Sequence, residues 1–273
     1  MVYRLCRESF LSLWSHPNPS REDGRELCDV LVVFNPHILI FSVKEVEYSD
    51  SAKGVVAQKR WERRAVEKSV KQIYRAEKWI QRNRNVITHE GTEGVSFPNH
   101  QKRKTHRIAV ALGSRGKAII GSRDFGKGFV HVYDEDSLHA VLGELDTIAD
   151  FVNYLTAMES LFQRDIRILI HGGGHQDLLA WYLLNNRSFP DLPDMLIVEG
   201  GLWDKLAKEP RFVRRKQEDR VSYLWDRIIE EFAHHLQHKT LELETDPRET
   251  ERVLRVMASE DRFSRRLLAK QLL

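Results

Sequence analysis

The chain has 273 residues, 41% hydrophobic and 30% charged, which is enough apolar material for one large or two modest packed domains and excludes a disordered chain. Its longest apolar runs, LVVF and ILIF, fall far short of the ~20 residues a membrane-spanning helix needs, and MVYRLCRESFLSLW lacks the apolar core and cleavage site of a secretory leader. The net charge of +3 hides an asymmetry: residues 52–127 hold 19 Lys and Arg against 6 Asp and Glu, a net +13 that leaves −10 on the remainder.

A cytoplasmic protein without membrane contact is expected. Its two cysteines, Cys6 and Cys28, form no disulfide framework and no CxxC metal pair. Residues 3–14 read as a short helix, and SHPNPSREDG is a loop rich in turn formers. Val30 to Phe34 and Ile38 to Val43 read as buried strands joined at Asn35-Pro36. Helical spacing runs from Ala57 to about Arg82, followed by a polar linker, NVITHEGTEGVSFPNHQKRK. Short strands are expected at 107–112, 117–121 and 129–133, separated by glycines. Beyond residue 137 the pattern turns mostly helical, in LHAVLGELDTIADFVNYLTAMESLF, QDLLAWYLL, VSYLWDRIIEEFAHHLQH and ETERVLRVMASEDRFSRRLLAKQLL, with one strand, IRILI, before HGGG. The expected division is an α/β core at 1–136 and a helical region at 137–273, with the boundary placed loosely between 137 and 165.

The two early strands carry polar residues at one end. Side chains alternate along a strand, so Ser42 and Lys44 share a face. If Asp29 opens the first strand on that side, it meets Lys44 near one site, with Glu26 close by on the preceding loop. A carboxylate for a hard cation beside a lysine that steadies a phosphate or activates water is what metal-assisted phosphodiester hydrolysis requires. A strand-end ion pair is the structural alternative, because charges at a buried hairpin are otherwise costly.

At these residues the chain resembles the PD-(D/E)XK, or restriction-endonuclease-like, nuclease superfamily. That family has a helix, an Asp at the start of a strand, a second strand carrying (D/E)-x-K, then a helix packed on the sheet. Glu26-x-x-Asp29, Ser42-Val43-Lys44 and the helix at 57–82 occupy those positions, over residues 3–133. The resemblance implies a restriction-endonuclease-like mixed sheet flanked by helices, with Mg²⁺ or Mn²⁺ as cofactor. Ser42 departs from the pattern, standing where the family has a second acidic ligand, and serine is a poor substitute for a carboxylate on Mg²⁺. Some members are similar in having S-x-K, with the acid moved to the following helix. At about 100° per residue, Glu62 falls inward with Val66, Ser69, Ile73, Ala76 and Ile80, while Glu67 and Lys71 lie opposite. Gln58 lies one turn earlier on the inward side and can offer an amide oxygen. Gln72 is at the stripe's edge beside Trp61 and Trp79, where related nucleases also place a glutamine. The expected metal ligands are therefore Asp29 with Glu26 or Glu62, and Lys44 completes the catalytic set. A frayed-turn or salt-bridged Glu62 is the alternative.

The basic segment attracts polyanions, although most charge runs are only solvated helix faces. Expected nucleic-acid contacts are Arg60, Arg64, Lys68, Lys71, Gln72 and Arg75. Other motifs carry less. GSRDFGKG nearly spells a P-loop but ends in Gly128 where Ser or Thr must hold Mg²⁺, and a strand follows instead of a helix. His171-Gly172-Gly173-Gly174 resembles an esterase oxyanion loop, but no G-x-S-x-G exists; the glycines let the chain turn into a helix near His175, with Asp177 in its first turn. His234 and His238 have a zinc-compatible spacing, but HHLQH lacks the glutamate of a zincin.

The preferred reading is a metal-dependent nuclease acting on DNA, in restriction, antiviral defence or repair. The rival is a catalytically inactive module of the same fold that binds nucleic acid or a protein partner. A helical scaffold with no nucleic-acid role is the third option. Homodimerisation is left open.

Overall fold

The computed structural model describes residues 1–49, 54–118, 121–164, 167–191, 195–238 and 246–273. By internal contacts the chain forms two compact units, Met1–Cys6 with Trp14–Ala140, and Arg7–Leu13 with Val141–Leu273. The polypeptide starts with helix α1 (Val2–Phe10) and edge strand β1 (Ser15–Pro17).

Strand β2 (Val30–Phe34), all five residues buried, and strand β3 (His37–Glu45) then form an antiparallel hairpin closed at Asn35-Pro36, a cis peptide. Helix α2 (Gly54–Ile80) crosses over to β6 (Lys104–Leu112), which lies parallel to β3. On the way the chain makes a small antiparallel hairpin, β4 (Asn85–Ile87) and β5 (Glu93–Ser96), in the stretch expected to be a plain linker. Strands β7 (Arg123–Asp124) and β8 (Phe129–Tyr133) complete a six-stranded mixed sheet of order β1-β2-β3-β6-β8-β7. The expected strand at 117–121 has no strand in its described part, and residues 119 and 120 lie outside the described residues.

One sheet face is dictated by α2. Its apolar stripe, including Trp61, Ala65, Ile73 and Ile80, packs on Leu31, Val33, Ile38, Ile40, Ala109, Ala111, Val130 and Val132. Strand parity then carries Asp29, Ser42 and Lys44 to this same face. The arginine at 107, also on this face, reaches Glu77 of α2 through two hydrogen bonds of 2.7 and 2.5 Å, and Arg103 closes the helix's C-terminus by donating to the carbonyls of Ile80 and Asn83. Much of the basic segment's charge at these points is therefore structural.

The opposite face holds a histidine pair, half-buried His37 and buried His106, whose ring nitrogens lie 3.0 Å apart. One ring must donate and the other accept, so at least the accepting ring is neutral. Burial first, then neighbouring cations including Lys104, lowers His37 to about 4; burial, then His37, His131, Arg107 and Lys104, lowers His106 to about 3. An unfolded histidine titrates near 6.5, so between that pH and about 4 the unfolded chain binds the proton first. Stability is then complete above about pH 6.5 and falls as the pH drops. His106 alone contributes a slope of up to ~1.4 kcal/mol per pH unit across that window. Chemical denaturation of wild type and His106→Gln at pH 7 and pH 5 checks this, with a shallower loss expected in the variant.

The second unit begins within α3 (Glu135–Glu144) and continues with α4 (Ile148–Gln163). The break between them falls at Thr147, whose side chain accepts from the Asp150 amide as an N-cap. Within this mostly helical unit lies a two-stranded parallel sheet, β9 (Arg167–His171) and β10 (Met195–Glu199), joined through α5 (His175–Leu184). Helices α6 (Leu202–Lys208), α7 (Pro210–Asp219), α8 (Tyr223–His238), α9 (Pro247–Ala258) and α10 (Arg262–Gln271) follow. Arg262 and Arg265, 3% and 1% exposed, are buried against Asp146 and Asp226. No helix among the described residues is long and apolar enough to cross a membrane.

Candidate active site

The candidate site lies where the β2–β3 hairpin meets α2. Asp29 immediately precedes β2, its amide donating to the Phe41 carbonyl (3.1 Å) while its Oδ2 accepts from the Val43 amide (2.9 Å). The carboxylate is thereby pinned across the hairpin by the backbone itself. Lys44 Nζ stands 3.7 Å from the same Oδ2 and donates to the Val43 carbonyl at 3.0 Å. About a quarter of Asp29 and a third of Lys44 remain open to solvent, so the pair is accessible.

Ser42 is fully buried, and its hydroxyl donates to Gln72 Oε1 at 3.0 Å; the Gln72 amide in turn donates to Glu26 Oε1 at 3.2 Å. A hydrogen-bonded chain thus runs from Ser42 through Gln72 to the Glu26 carboxylate. Cys28, between the two acids in sequence, is buried; burial first, then the charges of Asp29 and Glu26, pushes its thiol well above the ordinary range. The protonated thiol is therefore the favoured form. Cys6 is likewise free and buried.

Glu62 is not part of this arrangement. It is half-buried and paired with Arg123 at 2.6 Å, and Arg123 in turn stacks on Phe125. Ten residues, about 15 Å of helix axis, separate Glu62 from Gln72. Of the two expected partners for Asp29, Glu26 is reached through Gln72, whereas Glu62 is engaged by Arg123. Among the described residues no group of three or more His, Cys, Asp or Glu converges as a metal site.

Two carboxylates still match what Mg²⁺ asks of a protein, since it binds through one or two of them and keeps several waters. The donors here are hard oxygens: Asp29, Glu26, the Val43 carbonyl and the Gln72 amide. Asp29 Oδ2 and the Val43 carbonyl already flank one positive group, the Lys44 ammonium. In donor type these oxygens match what a hard divalent cation takes.

Arg60, Arg64, Lys68, Lys71 and Arg75 are all exposed and fall within an 80° arc of α2, a row about 22 Å long. No acidic side chain among the described residues pairs with any of them. Lys68 and Arg75 lie one turn either side of Gln72, so the row runs along the lip of the Asp29 site. Sequence reading placed Gln72 among the nucleic-acid contacts and missed its link between Ser42 and Glu26, which spans 30 and 46 residues of chain.

The remaining motifs are structural. In the P-loop-like stretch Asp124 accepts from the amides of Gly126 (2.6 Å) and Gly128 (3.1 Å), which closes a β-turn rather than a phosphate cradle. In the HGGG turn Asp177 accepts from the amides of Gly174 (3.0 Å) and Trp203 (2.9 Å), filling the helix N-terminus with a carboxylate. His234 packs edge-on against His235, and the side chain of His238 lies outside the described residues. No protein-family model matches the chain, and no curated protein or solved structure proved similar to it.

Proposed function

We propose that the protein is a metal-dependent nuclease hydrolysing phosphodiester bonds, with DNA as substrate, on a restriction-endonuclease-like sheet. The observation that carries this reading is the convergence of Lys44, the Asp29 carboxylate and the Val43 carbonyl at the mouth of a hairpin, with Glu26 tied in through Gln72. Asp29 and Glu26 would hold Mg²⁺ or Mn²⁺. When bound, such an ion polarises the phosphodiester and lowers the pKa of a coordinated water. Lys44 orients the attacking water or neutralises charge on the pentacovalent phosphorus as the new P–O bond forms opposite the one that breaks. The backbone-pinned Asp29 needs no rearrangement to serve, which is the preorganisation such chemistry rewards. The α2 row grips phosphates on either side, and each phosphate neutralised releases counterions.

A second reading, nucleic-acid binding without hydrolysis, is favoured by one observation: Ser42 is fully buried and bonded to Gln72 in the position of the second acid. Supercoiled plasmid and a labelled single strand incubated with Mg²⁺, Mn²⁺ or EDTA separate the two. Metal-dependent cleavage absent in EDTA is the expected result; tight, salt-sensitive binding without cleavage in any metal would leave the binding module in its place.

A further inference from the structure

Two residues beyond Lys44, just past the end of β3, Val46 lines a cavity of about 170 Å³. Val46 is held on both sides: its amide donates to the Leu112 carbonyl (3.0 Å) and its carbonyl accepts from Trp61 Nε1 (2.7 Å). Trp61 has therefore spent its only polar group and offers the cavity ring carbon alone. Ala57 completes the apolar wall, and Arg60 and Arg64, one turn apart on the exposed row, stand at the rim. Among the described lining residues the one acid, Glu47, is paired with Arg115 at 3.5 Å, and both side chains are about four-fifths exposed, so its charge is largely screened by water.

Size and chemistry together narrow the occupant. A cavity of ~150 Å³ holds one benzene ring, whereas whole cofactors need ~300 Å³ or more, so this cavity takes a single aromatic group rather than a whole cofactor. A ring on an apolar floor with an anion across two guanidinium groups describes a nucleotide. Position adds the rest, because two strand residues are about 6.6 Å, the reach of one extended or two stacked nucleotides from Lys44.

We infer that this cavity is a nucleotide subsite that seats one base of the substrate strand beside the phosphodiester held at Lys44, with that nucleotide's phosphate on Arg60 and Arg64. The inference rests on the nuclease reading and adds a base-binding pocket to it.

Binding of a dT 12-mer and of a fully abasic 12-mer with the same phosphates, both in EDTA, tests the subsite apart from cleavage. The wild type should bind dT about 10- to 100-fold more tightly than the abasic strand. Ala57→Leu, which fills the cavity from its wall, and Ser49→Trp, which covers it from the exposed rim without loading the core, should each bring that ratio below about 3 while abasic-strand affinity stays at the wild-type value. Unchanged ratios in both variants, or a wild type indifferent to base removal, would overturn the subsite while leaving metal-dependent cleavage to its own assay. Competition by free thymidine monophosphate as effective as that by dT would overturn it in favour of a mononucleotide site. Failure to bind either strand would remove the subsite and the nucleic-acid reading together.

Discussion

Arg262→Met is expected to cost the C-terminal unit about 3–5 kcal/mol, because it strips the counter-charge from two buried carboxylates. The Arg262 guanidinium donates to Asp146 Oδ1 (2.8 Å), Asp226 Oδ2 (2.6 Å), the Ser222 hydroxyl (3.1 Å) and the Asp146 carbonyl (2.7 Å), and it lies 4.4 Å from the Tyr223 ring centre. Asp146 and Asp226 are 8% and 7% exposed, so water cannot replace what the arginine supplies. After the change Asp226 retains Arg265 and Asp146 retains the Tyr223 hydroxyl, which is why the loss stops short of a full two-ion penalty. Against a typical total of ~5–15 kcal/mol this is a large fraction. Urea denaturation followed by tryptophan fluorescence measures it. The triple change Arg262→Met, Asp146→Asn and Asp226→Asn should recover part of the loss, since neutral groups no longer need the cation. Arg262→Lys should recover little, because one ammonium cannot reproduce a fork that spans two carboxylates.

Lys44→Ala is expected to lower the cleavage rate about 10²- to 10³-fold, the range for removing one preorganised charge from a reacting phosphate. Glu26→Gln should lower it about 10- to 100-fold, and raising the metal concentration should partly restore it, because what is lost is cation affinity. Glu62→Gln should change the rate by less than about threefold, since it breaks only the partly exposed pair with Arg123. Circular dichroism of each variant separates lost chemistry from lost folding. Equal losses for Glu26 and Glu62 would return the second ligand to the first turns of α2.

How much of this was legible in the sequence follows from the range of the interactions. The hairpin and α2 could be read because their signals are local: continuous apolar runs broken at Asn35-Pro36, and a 3.6-residue apolar period. Strand parity alone brought Asp29, Ser42 and Lys44 to one face. The phase of Glu62 was also legible, but its distance along the helix from the hairpin depends on how α2 slides over the sheet. That register is fixed by Arg107 with Glu77 and by Trp61 with Val46, pairings that no local pattern announces. The relay from Ser42 through Gln72 to Glu26 is of the same long-range kind. Other misses were local and readable. Thr147 with Asp150 is a helix-start pair inside what looked like continuous helix, and MLIVE is β-rich between a proline-containing loop and a Gly-Gly turn. The β4–β5 hairpin was hidden because its strands are short and polar, with few residues to bury.

The central claim is that the Asp29 site hydrolyses phosphodiesters, and plasmid cleavage by wild type and Asp29→Ala, side by side in Mg²⁺ and in EDTA, tests it most directly. The account predicts cleavage by the wild type in Mg²⁺ alone, and none by a folded Asp29→Ala protein under either condition. Cleavage that survives in Asp29→Ala, or a wild type that binds the plasmid yet leaves it intact in both Mg²⁺ and Mn²⁺, would contradict it.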